Sequence, residues 1–237
     1  MDARIDQTKI PCSKIQTKGP SLLKFVMSYS CGKDSTLALH KMMHLGHEPV
    51  GLIIMVNDSV GRSYFHGADV PMLHQYSEAL NLPVILCRAN EQNYCTAFEE
   101  GLKKAKALGA EAACFGDIDI EQNRQWEENR CNASGLVPFF PLWQKGREET
   151  VYELVRLGYR CLIKSIHMTV LPKSILGHYI DHDSITVMKS AGIDVCGENG
   201  EYHTLTVDGP IFTKPLAFRL GSIMEFGDYA VIDITSG

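Results

Sequence analysis

The chain has 237 residues, of which 45% are hydrophobic and 22% are charged, and this composition suits one large globular domain or a domain with a smaller appendage. A formal net charge of -5 and a pI near 6.0 argue against a protein whose main task is to grip nucleic acid, for which a basic stripe is expected. The eight cysteines are scattered without a CxxC pair, which argues against a zinc ribbon or an iron–sulfur cluster. Because no apolar run approaches the roughly 18 residues of a membrane helix and the N-terminus lacks a signal-peptide core, we expect a cytoplasmic protein.

The first part of the chain alternates between short apolar runs and segments with helical spacing. Residues 1–20 lack periodicity and are expected to be a flexible leader. The predicted strands are 22–29, 50–56, 83–87 and 112–115, and the predicted helices are 36–45, 70–80, 90–108 and 119–133. Wholly apolar strands that alternate with helices are typical of a parallel sheet covered on both faces. Residues 21–135 are therefore predicted to form a doubly wound, Rossmann-like α/β domain.

After about residue 135 the pattern changes. Residues 138–141, with a proline at each end, are expected to form a rigid connection. The predicted helices are 147–157 and 184–191, and the predicted strands are 160–166, 202–207, 217–226 and 229–234. The alternation within the last strands suits a partly exposed sheet. Residues 136–237 are predicted to be a smaller α+β domain that binds the substrate.

The most informative segment is 28–35, where a strand ends, a small polar turn follows and a helix begins. The first amides of a helix lack internal partners and the helix dipole adds positive charge, so this arrangement suits an anion. Ser30 and Ser35 can donate hydrogen bonds to phosphate oxygens, and Lys33 adds a charge. Asp34 would repel phosphate unless it caps the helix or helps to hold Mg²⁺.

This segment lacks the Walker spacing and resembles the SGGxDS signature of PP-loop ATP pyrophosphatases. Cys31 stands at the position of the first glycine. If that position requires a positive φ, cysteine costs about 1 kcal/mol relative to glycine. The alternative interpretation is an ordinary turn between a strand and a helix.

Three further segments resemble the diphthine–ammonia ligase family. They are Gly197-Glu198-Asn199-Gly200-Glu201-Tyr202-His203-Thr204, Gly116-Asp117-Ile118 and Pro141-Leu142-Trp143. The resemblance runs from about residue 24 to about residue 212. It implies that a substrate carboxylate attacks the α-phosphate of ATP, that pyrophosphate leaves, and that ammonia then displaces AMP to form an amide. In the archetype the carboxylate belongs to diphthine, a modified histidine of a translation elongation factor.

The resemblance also implies roles for individual residues, with ATP and Mg²⁺ as cofactors. The residues expected to bind ATP are Ser28, Ser30, Cys31, Gly32, Lys33, Asp34, Ser35, Met55 and Val56, with the last two beside the adenine at the end of the second strand. The residues expected to act in catalysis are Asp34, Asp117, Glu198, Glu201 and His203, and Asp34 is the candidate Mg²⁺ ligand.

Glu201 and His203 are two residues apart and are predicted to share one face of a strand, where a carboxylate could orient the imidazole. We expect the pair to act on the acceptor. The family carries an acidic residue in place of His203, so a different acceptor, such as a corrinoid side chain, is kept as an alternative. A tRNA-modifying PP-loop enzyme and a non-catalytic nucleotide sensor are two further alternatives.

Other features are left open or interpreted as structural. His66, in the loop after the second strand, is either a ligand contact or a solvated loop residue. Glu127 and Glu128 are interpreted as a solvated helix face, and the i, i+4 histidine pairs are not interpreted as metal sites. Membrane and nucleic-acid partners are not expected, and a homodimer is kept as a candidate.

Overall fold

The computed structural model describes residues 22–64 and 66–237, so the predicted leader, residues 1–20, lies outside the described residues. Strands and helices alternate through the first part of the chain. In order they are β1 Lys24–Ser28, α1 Lys33–His44, β2 Glu48–Asn57, β3 Arg62–Ser63, α2 Val70–Leu80, β4 Val84–Ala89, α3 Tyr94–Ala107, β5 Ala112–Cys114, α4 Glu121–Ser134 and β6 Val137–Phe139. These elements build the first sheet and its helices.

The parallel strands of the first sheet have a doubly wound order. Strand β1 lies between β2 and β5, and β6 pairs with the far edge of β5. The residues of β2 that pair with β4 include residues that also pair with β1 and with β3. Since a strand has two edges, β4 must lie along the edge of β2 opposite to β1 and β3. The parallel order is therefore β4-β2-β1-β5-β6. From β1 the chain adds β2 and β4 on one side and then β5 and β6 on the other side. Open α/β sheets bind ligands in the crevice that such a change of side leaves.

The rest of the chain forms a second, antiparallel sheet with its own helices. Its elements are α5 Arg147–Arg156, β7 Arg160–His167, a 3₁₀ turn at Lys173–Ile175, α6 His182–Ser190, β8 Tyr202–Asp208, β9 Phe218–Phe226 and β10 Tyr229–Ser236. The strand order is β8-β7-β10-β9. The predicted fold class, a doubly wound α/β sheet followed by a smaller α+β part, is confirmed.

The two sheets share one hydrophobic core. Met27 of β1 and Leu37 of α1 lie in the same buried cluster as Ile163 of β7 and Leu205 of β8. The other face of the first sheet, covered by α3 and α4, has a separate cluster that includes Phe98 and Phe115. The shared core holds β8 against the start of α1, and this contact positions the site described below.

Some element boundaries differ from the predictions. Helix α2 spans Val70–Leu80 as predicted, whereas α1 begins at Lys33 because the first turn includes the polar residues of the 28–35 segment. Val137–Phe139 pairs with β5 instead of forming only a connection, so the first sheet extends beyond residue 135. The two-residue strand β3 was not predicted. Among the described residues, no helix is long and apolar enough to cross a bilayer.

Candidate active site

A cavity of about 560 Å³ opens at the carboxyl ends of the parallel strands, between the first sheet and the segment that leads into β8. One end is lined by the turn between β1 and α1. The opposite end is lined by aromatic side chains of α3, of α4 and of the residue that follows β5, namely Tyr94, Phe98, Trp126 and Phe115. The cavity therefore has a polar end and an aromatic end.

The turn between β1 and α1 is fixed by its own hydrogen bonds. The Ser30 hydroxyl accepts from the Gly32 amide at 3.3 Å and donates to the Ser35 hydroxyl at 3.1 Å. Ser35 in turn donates to the Gly32 carbonyl at 3.1 Å. Gly32 is the N-cap residue of α1 and, because it lacks a side chain, forms no side-chain capping hydrogen bond. The first amides of α1 are thereby held in a rigid turn at the mouth of the cavity.

Cys31 has a positive φ of 74°, the condition under which the sequence predicts a cost for a non-glycine residue. Its side chain is fully buried, and burial raises the pKa of its thiol well above the usual value. Its carbonyl accepts a hydrogen bond from the Thr206 amide at 2.9 Å. A buried thiol that stays protonated is a poor nucleophile, and Cys31, which was expected to bind ATP, does not line the cavity.

Lys33 and Asp34 form an ion pair at the start of α1. Lys33 Nζ lies 2.6 Å from Asp34 Oδ2, and the lysine is almost fully buried. Burial alone lowers the pKa of Lys33, but Asp34, Cys196, Tyr202 and Glu198 raise it, and the net pKa is well above the usual value. Because Gly32 is the cap and Asp34 is the second residue of the helix, capping, the first of the two alternatives for Asp34, is wrong.

Strand β8 crosses directly over this turn. The Lys33 amide donates to Thr204 Oγ1 at 3.1 Å, and the Thr206 amide donates to the Cys31 carbonyl at 2.9 Å. The glycine-rich segment before β8 is held by Tyr202, whose hydroxyl donates to the Val195 carbonyl at 2.6 Å. Two predicted motifs that are about 170 residues apart in sequence therefore meet at one end of the cavity.

Glu198 is the carboxylate that this segment brings nearest to the turn. Ligand atoms of Asp34, Cys196 and Glu198 lie within 4.8 Å of one another. Burial, followed by the negative charge of Asp34, raises the pKa of Glu198 to about 7, although Lys33 acts in the opposite direction. The cavity thus has a second carboxylate beside the Lys33–Asp34 pair.

Glu201 does not line the main cavity, and its predicted pairing with His203 is wrong. Its carboxylate accepts hydrogen bonds from the Asn199 amide at 3.0 Å and from the Asn199 side-chain amide at 2.9 Å. It lines a separate small surface pocket with His167. Strand β8 begins only at Tyr202, so the alternation of a strand does not extend back to Glu201.

His203 instead faces His66, and both rings line the main cavity. The ring centroids are 5.4 Å apart and the rings are nearly perpendicular. Burial, with a smaller contribution from Lys33, lowers the pKa of His203, and burial followed by His203 lowers the pKa of His66 to about 3. Because His66 Nδ1 lies 2.5 Å from the Thr204 carbonyl oxygen, Nδ1 is the donor and Nε2 carries the lone pair.

His66 also explains why residue 32 is a glycine. A Cβ atom on Gly32 would lie 2.4 Å from the His66 ring. In the same way, a Cβ on Gly116 would lie 2.7 Å from the Ser35 amide nitrogen. Both glycines therefore permit close approach of other groups to the turn.

Asp117 and Glu127 form a carboxyl pair in the cavity wall. The Asn123 side-chain amide donates to Asp117 Oδ1 at 3.1 Å. Burial, followed by the charge of Asp117, raises the pKa of Glu127 to about 11, and burial raises the pKa of Asp117. The interpretation of Glu127 as part of a solvated helix face is wrong, because α4 presents Asn123 and Glu127 to the cavity, one helical turn apart.

Three of the predicted ATP contacts lie on β1 and β2, and two of them reach the cavity. Ser28 and Met55 line it, but Val56 does not and is fully buried in the core on the other face of the sheet. Successive residues of β2 point to opposite faces, so Met55 and Val56 cannot both reach one ligand.

Arg147 joins the two parts of the site, and the sequence analysis did not identify it. Its guanidinium contacts both oxygens of Asp119, at 2.7 and 2.8 Å, and Asp194 Oδ2 at 2.7 Å. Asp119 lies two residues after Asp117, and Asp194 lies just before the glycine-rich segment. The bidentate contact fixes the orientation of the two segments relative to each other.

Comparison with known proteins gives a consistent result. Sequence models of the diphthamide synthase N-terminal and C-terminal domains match residues 23–138 and 146–236. A diphthine–ammonia ligase of Schizosaccharomyces pombe is 26% identical over 86% of this chain and 37% of its own length. The human diphthine–ammonia ligase is 25% identical over 79% of both chains. The chain thus spans little more than a third of the length of the fission-yeast relative.

Among solved structures, a predicted subunit of tRNA methyltransferase from Methanocaldococcus jannaschii matches with 14% identity and a TM-score of 0.44, over 82% of this chain and 100% of that one. This likeness is too low to support an inference on function. The family models, by contrast, cover both sheets and every segment that lines the cavity. The chain belongs to the diphthamide synthase family.

Proposed function

We propose that this protein is an ATP-dependent ligase that adenylates a carboxylate and passes the acyl group to ammonia. The family membership supports the reaction class. The observation that carries the proposal is the meeting of the β1–α1 turn with β8, through the hydrogen bond of the Lys33 amide to Thr204 Oγ1 at 3.1 Å. A nucleotide sensor would need the turn alone, whereas a ligase needs a second group of side chains beside it.

The polar end of the cavity is where we place the phosphates of ATP. The N-terminal amides of α1 and the Lys33 ammonium offer positive charge, and the hydroxyls of Ser30 and Ser35 offer hydrogen bonds. The adenine would lie towards the aromatic end, beside Met55 and Phe98. Pyrophosphate would then leave from the end at which the charges can stabilise it.

Two carboxylates at the polar end fit a magnesium ion. Asp34 and Glu198 supply oxygen ligands close together, and Mg²⁺ is commonly held by one or two carboxylates together with substrate phosphates. The nearby Cys196 thiol is not a ligand that Mg²⁺ prefers, and burial keeps it protonated. A bound Mg²⁺ would neutralise negative charge on the phosphate oxygens.

The acceptor side would be formed by His203 and His66. Both imidazoles are neutral near pH 7, because burial lowers their pKa values. A neutral imidazole can take a proton from an attacking amine. We therefore assign His203 to the ammonia-dependent step and remove Glu201 from it, since Glu201 lies in the separate surface pocket.

The acceptor carboxylate has two candidates. Diphthine is the first candidate, since the relatives are diphthine–ammonia ligases. His203 replaces the acidic residue to which the resemblance points, and it favours an acceptor of different charge. A carboxylate such as a corrinoid side chain is the second candidate.

The test is the identity of the nucleotide product. Purified protein with ATP, ammonium and a panel of candidate acids should release AMP and pyrophosphate, and isotope-labelled ammonium should enter the acid as an amide. The double variant Asp34→Ala with Ser35→Ala should lose pyrophosphate release. A matched control is Asp183→Ala with Ser190→Ala, which changes the same residue types at exposed positions of α6. ADP as the product, or full turnover in the first variant, would refute the proposal.

A further inference from the structure

Strand β9 is an edge strand with an unusual number of exposed apolar side chains. Among the residues that the structure describes, β9 pairs with β10 alone, and its other edge has no partner strand. Leu220, Ile223, Met224 and Phe226 are between 40% and 61% exposed. A long apolar edge strand is a template for pairing with another strand, and soluble proteins usually cover or interrupt such an edge.

The two faces of β9 are defined by its partners in β10. Ile223 lies opposite Ile232 and Leu220 lies opposite Ile234, and both partners are buried in the core. Ile223 and Leu220 are therefore on the core side of the sheet. Both continue the apolar face of the sheet beyond its last covered strand.

A bulge gives the free edge a distinctive spacing. The register shifts between Ile232 and Ile234, so that residues 221 and 222 of β9 both lie opposite Asp233. Phe226 and Tyr229 flank a two-residue turn and are the hydrogen-bonded pair that closes the hairpin. In an antiparallel ladder, alternate residues direct their N–H and C=O groups towards the partner strand and away from it. On the turn side of the bulge, residues 225 and 223 therefore direct these groups to the free edge. On the far side of the bulge, residues 220 and 218 do so.

The outward-facing residues on either side of the bulge are thus three apart instead of two. A regular strand laid along this edge would match it on one side of the bulge and lose register on the other. A second copy of β9, running antiparallel about an axis between Gly221 and Ser222, has the same three-residue interval and keeps register on both sides.

In this register Ile223 lies opposite Leu220 of the partner subunit on the core side, and Met224 lies opposite Arg219 of the partner subunit on the other side. In each pair the two side chains lie on the same face of the sheet, and no two side chains of the same charge lie opposite each other. We propose that β9 is a homodimer interface that joins the two antiparallel sheets into one of eight strands. The interface is remote from the catalytic cavity, which no residue of β9 lines.

The first test is sedimentation velocity over a range of protein concentrations. The unmodified chain should show a monomer–dimer equilibrium, and Leu220→Lys with Ile223→Lys should raise the dimer dissociation constant at least about tenfold. Leu108→Lys with Val60→Lys, two exposed apolar positions elsewhere, is the matched control and should not change it. Pyrophosphate release by each variant checks that the fold is intact.

The second test addresses the register. The axis between residues 221 and 222 brings the two Ser222 Cα atoms within disulfide range. In a background with Cys12 and Cys95 changed to serine, Ser222→Cys should form a disulfide-linked dimer on mild oxidation, and Val60→Cys should not. A monomer at all concentrations, or a dimer that both lysine pairs leave unchanged, would overturn the proposal. The bulge would then be a device that protects the edge.

Discussion

The carboxyl pair in the cavity wall makes a specific prediction about stability. In Glu127→Gln, a neutral amide replaces a carboxyl group whose pKa the fold raises from 4.5 to about 11, mainly through burial. Above the pKa of the unfolded chain, the folded protein keeps a proton on Glu127 that the unfolded chain has released. The contribution of the Glu127 carboxyl group to the unfolding free energy is fully present below about pH 4.5 and is lost as pH rises.

The size of the effect follows from that shift. Each pH unit above 4.5 costs up to about 1.36 kcal/mol of unfolding free energy, or about 2 kcal/mol at pH 6. This is an upper limit, because Glu127 lines an open cavity and water screens part of the interaction. Glutamine carries no such cost, so the variant should gain stability relative to the unmodified chain as pH rises.

The assay is denaturant unfolding at several pH values between about pH 5 and about pH 8, where the unfolded glutamate is ionised. Glu128→Gln is the matched control, since Glu128 is the next residue of α4 and pairs with Arg124 near the surface. The curve for Glu127→Gln should diverge from that of the unmodified chain with rising pH, and the curve for Glu128→Gln should run parallel to it. If both variants run parallel, Glu127 ionises normally in the folded protein and the account of the pair is wrong.

Four further substitutions test the turn, the acceptor side and the position of Glu201. Gly116→Ala should abolish pyrophosphate release, because its Cβ would lie 2.7 Å from the Ser35 amide nitrogen. Gly192→Ala has open space around it but a positive φ of 71°, so it should lose about 1 kcal/mol of stability and retain turnover. Cys31→Gly should retain turnover and change the unfolding free energy by no more than about 1 kcal/mol, since relief of the positive φ offsets the loss of a buried thiol. His203→Ala should leave the ATP dissociation constant nearly unchanged and slow the ammonia-dependent step about 10²–10⁴-fold in single-turnover assays. Glu201→Gln should change neither the ATP dissociation constant nor the rate of the ammonia-dependent step. A slower ammonia-dependent step in this variant would show that Glu201 acts in the site.

The fold could be predicted from the sequence because its strands are continuous apolar runs. Such runs are typical of parallel strands buried on both faces, and helical spacing between them indicates the crossover connections. The segment Val137–Phe139 escaped prediction because Pro138 within it and Pro141 just after it suggested a connection. It becomes a strand through pairing with β5, a contact that local sequence does not encode.

The turn at residues 30–35 could also be predicted, because its chemistry depends on neighbours in the chain. Glu127 and Arg147 could not be predicted, and His66 was left between two interpretations, since each of the three reaches the site through tertiary contacts. For Glu127 a signal was present: Ile120, Asn123 and Glu127 recur at helical spacing and follow Asp117. Polar residues on one face of a helix were interpreted as solvated, but a face that borders a ligand cavity is polar too.

Distance along the chain proved a poor guide to function within the site. Glu201 and His203 lie far along the chain from the turn at residues 30–35, and this separation alone would place them away from it. Yet Thr204, the next residue, bonds directly to the Lys33 amide at the start of α1. The cavity wall is the better criterion, and it separates His203, which faces the cavity, from Glu201, which does not. Since β8 carries both a contact to the turn and a candidate acceptor group, one substitution in β8 can disturb both ends of the cavity. A substitution in β8 therefore has to be assayed for nucleotide affinity and for amide formation separately before either role is assigned.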